Sequence, residues 1–83
     1  MERFGRAGDD FNNNTTDGVY FYISNDIVAS CKNYPITNAG RLEVKQIKLG
    51  SHPSIRQEYY PYNATNMYIR IKTYTTWGDW ELK

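Results

Sequence analysis

The sequence predicts an all-β, or mostly β, domain: a small antiparallel meander sheet with long loops. Three observations carry that expectation. Apolar and polar residues alternate with period two in several windows, the mark of a strand with two unlike faces. Clusters of Gly, Pro, Asn, Asp and Ser stand between those windows and supply turn conformations. No window offers a convincing helical pattern, and strands at short intervals with turn chemistry between them describe an antiparallel sheet.

Residues 1–16 are polar and glycine-rich, with Asp9-Asp10 and Asn12-Asn13-Asn14, and read as a mostly irregular arm or linker ahead of a β domain over 17–83. Val19-Tyr20-Phe21-Tyr22-Ile23 alternates cleanly. The expected arrangement puts Val19, Phe21 and Ile23 inward and both tyrosines on the other side, with Ser24-Asn25-Asp26 as the closing turn. Ile27-Val28-Ala29 is either a brief strand or a helical turn, and 33–40 reads as loop. Arg41-Leu42-Glu43-Val44-Lys45 alternates again. The apolar phase slips between Val44 and Ile47, which calls for a bulge or a switch of face. Gly50-Ser51-His52-Pro53 is a turn signal.

Ser54 to Tyr60 forms the next strand, with Ile55, Gln57 and Tyr59 on one face and Arg56, Glu58 and Tyr60 on the other. Pro61 stops it or places it at an edge. Asn63 to Asn66 makes the hairpin loop, and Met67 to Lys72 the following strand. Period two puts Met67, Ile69 and Ile71 inward and Tyr68, Arg70 and Lys72 outward. Trp77 to Leu82 closes the chain as a last short strand. Its W-x-x-W spacing does not fit one face of a regular strand, where side chains repeat every two. Gly78 is the natural place for an extra residue or kink. Either both rings reach one face, or one is core and one exposed.

At 83 residues the chain makes one small domain, which buries only roughly 60–65 % of its unfolded surface. The usual reinforcements are missing. Cys31 is the one cysteine, so no internal disulfide can form, and no His or second Cys completes a metal site. A small domain without such ties packs very well or shares its core with a partner. Ten basic residues against nine acidic ones leave a net charge of +1, which disfavours nucleic acid as partner. No apolar run approaches the roughly 20 residues of a membrane span, and no secretory leader is visible.

The chain reads as a non-enzyme that needs no cofactor. His52, beside Pro53 in a turn, reads as a solvated loop residue, and Cys31 as a small buried hydrophobe. Glu43 and Glu58 alternate with apolar residues as solvent-face charges do, rather than as a paired acid and base. The aromatic content stands apart: eight Tyr, two Trp and three Phe. Tyrosines on a sheet face can be ordinary cross-strand packing. They can also stack on the apolar faces of sugars or form a protein interface, and, less in keeping with the charge, stack on nucleobases.

Six pieces in order resemble the knob domain in the tail fibres of R-type pyocins and many bacteriophages, covering residues 10–83. They are Asp10-Phe11-Asn12 through Thr15 leading to Gly18-Val19-Tyr20; Asn33-Tyr34-Pro35; Gly40-Arg41-Leu42-Glu43-Val44; Gln57-Glu58-Tyr59-Tyr60; Tyr68-Ile69-Arg70; and Trp77 to Trp80 with Leu82 after it. The chain departs from the family pattern between Val44 and Gln57, with an added charged stretch, and at Pro61. The resemblance implies a non-catalytic fibre module, trimeric in the full-length fibre and part of the virion tail. It also implies attachment to host-surface glycans, without nucleic acid or membrane insertion. On that reading Tyr60, Tyr62, Tyr68, Arg70 and Trp77 are the candidate ligand residues. Trp77, Tyr68 and Arg70 are expected to cluster, with Trp80 and Leu82 nearer the core. The alternatives are a structural spacer in a fibre and a carbohydrate-binding accessory domain of a tail-associated hydrolase.

Overall fold

The computed structural model describes residues 2–83, and among them the strands form one seven-stranded sheet. In chain order these are β1 (Glu2–Phe4), β2 (Gly18–Tyr22), β3 (Gly40–Leu49), β4 (His52–Pro61), β5 (Tyr68–Thr73), β6 (Thr76–Trp77) and β7 (Glu81–Leu82). From β2 to β5 each strand pairs antiparallel with the next, which is the expected meander. β1 adds a parallel edge beside β2, and β6 and β7 share the far side of β5. A five-residue helix, α1 (Asn25–Ala29), settles the open choice at 27–29. Ser24 caps it by accepting from the Ile27 amide at 3.2 Å.

One face of the sheet carries the core. Tyr20, Leu42, Tyr59, Tyr68 and Leu82 stand in one row across it, and Gly18, Val44, Gln57 and Arg70 in the next row of that face. Two segments with no strand of their own, the second carrying α1, cover this face. Residues 5–17, expected to be an arm, bring the fully buried Phe11 in a 3-10 turn (Phe11–Asn13), and its ring lies 4.9 Å from Tyr22 and 5.8 Å from Tyr59. Residues 24–39 bring Val28 and Cys31 into the same cluster. The Cys31 thiol donates to the Ile27 carbonyl at 3.2 Å, and burial raises its pKa.

The nature of that cover corrects two expectations. Tyr20 and Tyr22 face the core, while Ile23 is exposed; on β5, Arg70 and Tyr68 turn to the core side and Ile71 is exposed. A layer with no strand of its own presents unpaired peptide groups and polar side chains, so the sheet beneath it needs rings and stems with polar tips. Tyr22 meets this need. Its hydroxyl donates to Asp9 at 3.1 Å and accepts from Asn14 Nδ2 at 2.9 Å. Tyr20 donates to the Thr16 carbonyl and Tyr59 to the Asn38 carbonyl. Burial raises the pKa of both Tyr22 and Tyr59.

The β3–β4 pairing runs unbroken from Gly40 with Pro61 to Leu49 with His52. The phase slip at Ile47 is therefore a change of exposed face beyond the core, without a bulge. The turn at its end is Gly50-Ser51, with Gly50 at φ +63°, so His52 and Pro53 already belong to β4. The expectation for the His52 side chain lies outside the described residues. Gly40 is fixed by contact: a Cβ there would stand 2.3 Å from the Tyr60 carbonyl oxygen.

Candidate functional site

The five candidate residues divide between the two faces of the sheet. Tyr68, Arg70 and Trp77 stand on the core face; Tyr60 and the exposed Tyr62 lie at the end of β4, beside the open face.

On the core face, the W-x-x-W puzzle has a definite answer. Trp77 pairs with Lys72 and Glu81 with Ile69, so four steps on the closing segment match three on β5. That one extra residue puts Trp77 and Trp80 on the same face. Gly78 itself has no positive φ, and the nearest atom to a Cβ added there would be the Ile71 carbonyl oxygen at 3.4 Å. The spacing needs the bulge but not the glycine. Both rings pack on one guanidinium: Arg70 Cζ lies 4.0 Å from the centre of the Trp77 ring and 4.6 Å from that of Trp80. Stacking on indoles is a favourable setting for a guanidinium, whose weak hydration lowers the cost of burial.

Arg70 is only 6 % exposed. Burial pushes its pKa down to about 10, opposed by the Asp10 carboxylate, so it remains a cation near neutral pH. Its Nε donates to Gln57 Oε1 at 2.8 Å. Gln57, fully buried, donates in turn to the carbonyls of Phe11 at 2.7 Å and Asn14 at 2.9 Å. Trp80 Nε1 donates to the Asn33 carbonyl at 3.0 Å, and Asn33 Nδ2 donates to Asp10 at 2.7 Å. Asn33 sits at φ +62°, a left-handed conformation that asparagine tolerates better than most residues. The hydrogen bond from Asn33 is the main reason the Asp10 carboxyl titrates below its ordinary range. Arg70 and Trp77 thus cluster as expected, with Trp80 as a third member, whereas Leu82 is exposed rather than core.

The second group lies where β2 and β4 end. Phe21, Ile23, Tyr60 and Tyr62 line an open groove of about 1010 Å³, with Asn25 and Asp26 of α1 on its rim. Ile23 is 67 % and Tyr62 75 % exposed. Tyr60 is braced: Arg41 Cζ lies 4.4 Å from its ring centre, and its hydroxyl donates to Glu58 at 2.9 Å. Arg41 is bound on its other side to Glu43 at 2.7 Å. Arg56 Nε lies 3.1 Å from Glu58 Oε2, close in charge but misaligned as a hydrogen bond. Glu43 and Glu58 are therefore members of ion pairs on the open face.

Sequence reasoning missed Gln57, Trp80, Phe21, Ile23 and Arg41 as parts of these two groups. A signal existed for Gln57, since it occupies an inward position between Ile55 and Tyr59. No such signal marked Ile23, because its exposure follows from the inversion of β2.

No protein-family model and no curated protein matches the chain. Solved structures do. The chain is similar to an N-truncated R2-type pyocin tail fibre, at 28 % identity and a TM-score of 0.86, over 98 % of this chain and 31 % of that one. It is equally similar to a Pseudomonas aeruginosa R2 pyocin fibre, at 28 % and 0.86, covering 98 % of this chain and 21 % of the other. For a P. aeruginosa R1 pyocin fibre the values are 26 % and 0.82, over 99 % and 21 %. The chain spans less than a third of the length of each.

Proposed function

We propose that this chain, a domain of the pyocin and phage tail-fibre type, is a non-catalytic knob-like module that attaches a tail particle to host-surface glycans and takes part in fibre assembly as a trimer. The observation that carries the attachment reading is the groove at the end of β2 and β4. An exposed Tyr62 beside a braced Tyr60 offers flat apolar surface with hydroxyl tips, the surface that stacks on a sugar ring. A rigid aromatic loses little freedom on binding, which favours affinity. Trp77 and Arg70 support the fold behind it, and Tyr68 shares their face.

Assembly has its own support. Among the described residues no segment covers the open face, and it carries Ile71 together with Phe4, both exposed, at opposite ends. Apolar surface of this kind is a place for neighbouring subunits to meet.

Binding to a glycan array and to host cells, measured for the parent chain, Tyr62→Ala and Trp77→Ala, tests attachment. Loss in Tyr62→Ala with a native circular dichroism spectrum supports it; undiminished binding removes the groove from the site. Sedimentation of the isolated chain and of the full fibre tests the trimer, and a full fibre that sediments as a monomer overturns it.

A further inference from the structure

We infer that the end of the molecule formed by the β3–β4 and β5–β6 turns is a contact site for an anionic phospholipid surface, touched at its headgroups without insertion. The site is separate from the groove and does not depend on glycan attachment. β3 and β4 run ten residues each, about 33 Å. The longest dimension of the molecule is 38 Å, so the turn that joins these strands stands at one end of the body. The β5–β6 turn lies beside it, where the Tyr74 amide donates to the Pro53 carbonyl at 3.4 Å.

The charge of this end is one-sided although that of the chain is balanced. Residues 44–57 and 70–78 hold five of the ten basic residues and none of the nine acidic ones. Three of the five are committed. Arg70 is buried against Trp77 and Trp80, while Lys45 and Arg56 lie 3.8 and 3.1 Å from Glu58. Lys48 and Lys72 make no ion pair among the described residues. Period two puts Lys48 on the same side of the sheet as Val44, and the pairing puts Lys72 there too, two strands away.

Tyr74 is a second, independent observation. Thr73 pairs with Thr76, which leaves a two-residue turn, and Tyr74 opens that turn at φ +58°. Glycine is the ordinary occupant of such a position, and a bulky side chain there is strained. Core packing does not account for the choice, because Tyr74 is 55 % exposed. Strain of this kind is kept where the side chain has work outside the fold. Ile47 and Pro53 are exposed on the neighbouring turn. Tyrosine rings settle at the headgroup level of a bilayer, and lysines are drawn to its anionic phosphates.

The footprint selects the class of partner. Two turns fall well short of the roughly 20–30 residues a side that a stable protein interface uses. Two cations are few beside the roughly 6–10 phosphates that a duplex-binding protein neutralises. A lipid surface asks for neither, and weak contacts by several copies on one particle reinforce one another.

Co-sedimentation of the 83-residue chain with vesicles, joined to NMR amide shifts, tests the site. Vesicles of phosphatidylglycerol and phosphatidylcholine in equal parts are expected to bind at least about tenfold more strongly than phosphatidylcholine alone at low salt. The affected amides should lie in 47–54 and 72–77. Lys48→Gln and Lys72→Gln should each weaken binding roughly fivefold, whereas Lys32→Gln, in the segment covering the core face, should leave it unchanged. Tyr74→Gly should raise the urea midpoint and still weaken vesicle binding, a pairing that a purely structural tyrosine would not give. Absent or equal binding to the two vesicle types would overturn the inference. So would a Lys32→Gln loss matching that of Lys48→Gln, full binding by Tyr74→Gly, or the same shifts with soluble tripolyphosphate at equal phosphate concentration. None of these results bears on the glycan array, so the two readings fail separately.

Discussion

The two aromatic groups use similar residues for opposite ends. Around Arg70, the rings of Trp77 and Trp80 close over a cation whose bonds continue through Gln57 to the loop carbonyls of Phe11 and Asn14. Around Tyr60, a stacked Arg41 and a Glu58 hydrogen bond hold one ring in place beside a second that faces solvent. The first group joins the sheet to its cover; the second is held by bonds among residues of the open face itself, Arg41 to Glu43 and Tyr60 to Glu58. The lesson is that an aromatic excess marks both structural cement and available surface. Only the polar partners of each ring separate them.

Most of the pieces that carry the resemblance to tail fibres meet in the first group. Asp10, Asn33, Gln57, Arg70, Trp77 and Trp80 are linked through its hydrogen bonds and stacked rings. Ile23, Asp26 and Tyr62 of the groove lie outside those pieces. Gly40, Arg41 and Tyr60 of the same groove lie within them, so the resemblance covers how the fold is held and one wall of the groove.

If that division is right, the largest stability loss comes from Gln57→Leu. It keeps the volume but strands the Asn14 carbonyl and Arg70 Nε, and leaves the Phe11 carbonyl with the Asn14 amide alone, at about 3–5 kcal/mol. Urea denaturation measures it, and a loss under about 1 kcal/mol would break the comparison. Alkaline titration sharpens it next. Tyr22 and Tyr59 have their pKa raised above the ordinary 10.0 by burial, so the unfolded chain releases these protons first as pH rises. Their stabilisation is intact below pH 10 and is lost above it, at up to about 1.4 kcal/mol per pH unit for each. Tyr59→Phe should remove about one proton from that slope in pH-dependent unfolding.

Trp80→Phe keeps a ring on Arg70 but loses the indole bond to Asn33, and should cost about 1–2 kcal/mol in the same urea assay. Tyr62→Ala is the counterpart in the groove: stability unchanged within about 0.5 kcal/mol, binding lost. Smallest is Gly78→Ala, which should shift stability by less than about 0.5 kcal/mol. A large effect would mean that the bulge depends on glycine after all.

Much of the fold was legible because strand formation depends on local pattern. Period two located the central strands, and the turn residues separated them into a meander. Position of the extra residue near Gly78 was legible too, since W-x-x-W cannot lie on one face of a regular strand. What failed was the choice of face on β2 and β5. Alternation names two sets, Val19/Phe21/Ile23 against Tyr20/Tyr22, and hydrophobicity alone favours the aliphatic set. The structure chose the tyrosines.

The sequence by itself determined the β class, the strand windows and the resemblance, because alternation and turn chemistry act between near neighbours. Only the tertiary structure decided which face is core, because that depends on what covers it. Here the cover is two stretches with no strand of their own, with peptide groups and polar side chains to satisfy. They select Tyr22, Tyr59, Gln57 and Arg70 from beneath and leave Ile23 and Tyr62 outside. A polar residue can be the better core residue when the layer above it is polar, and no local pattern carries that information.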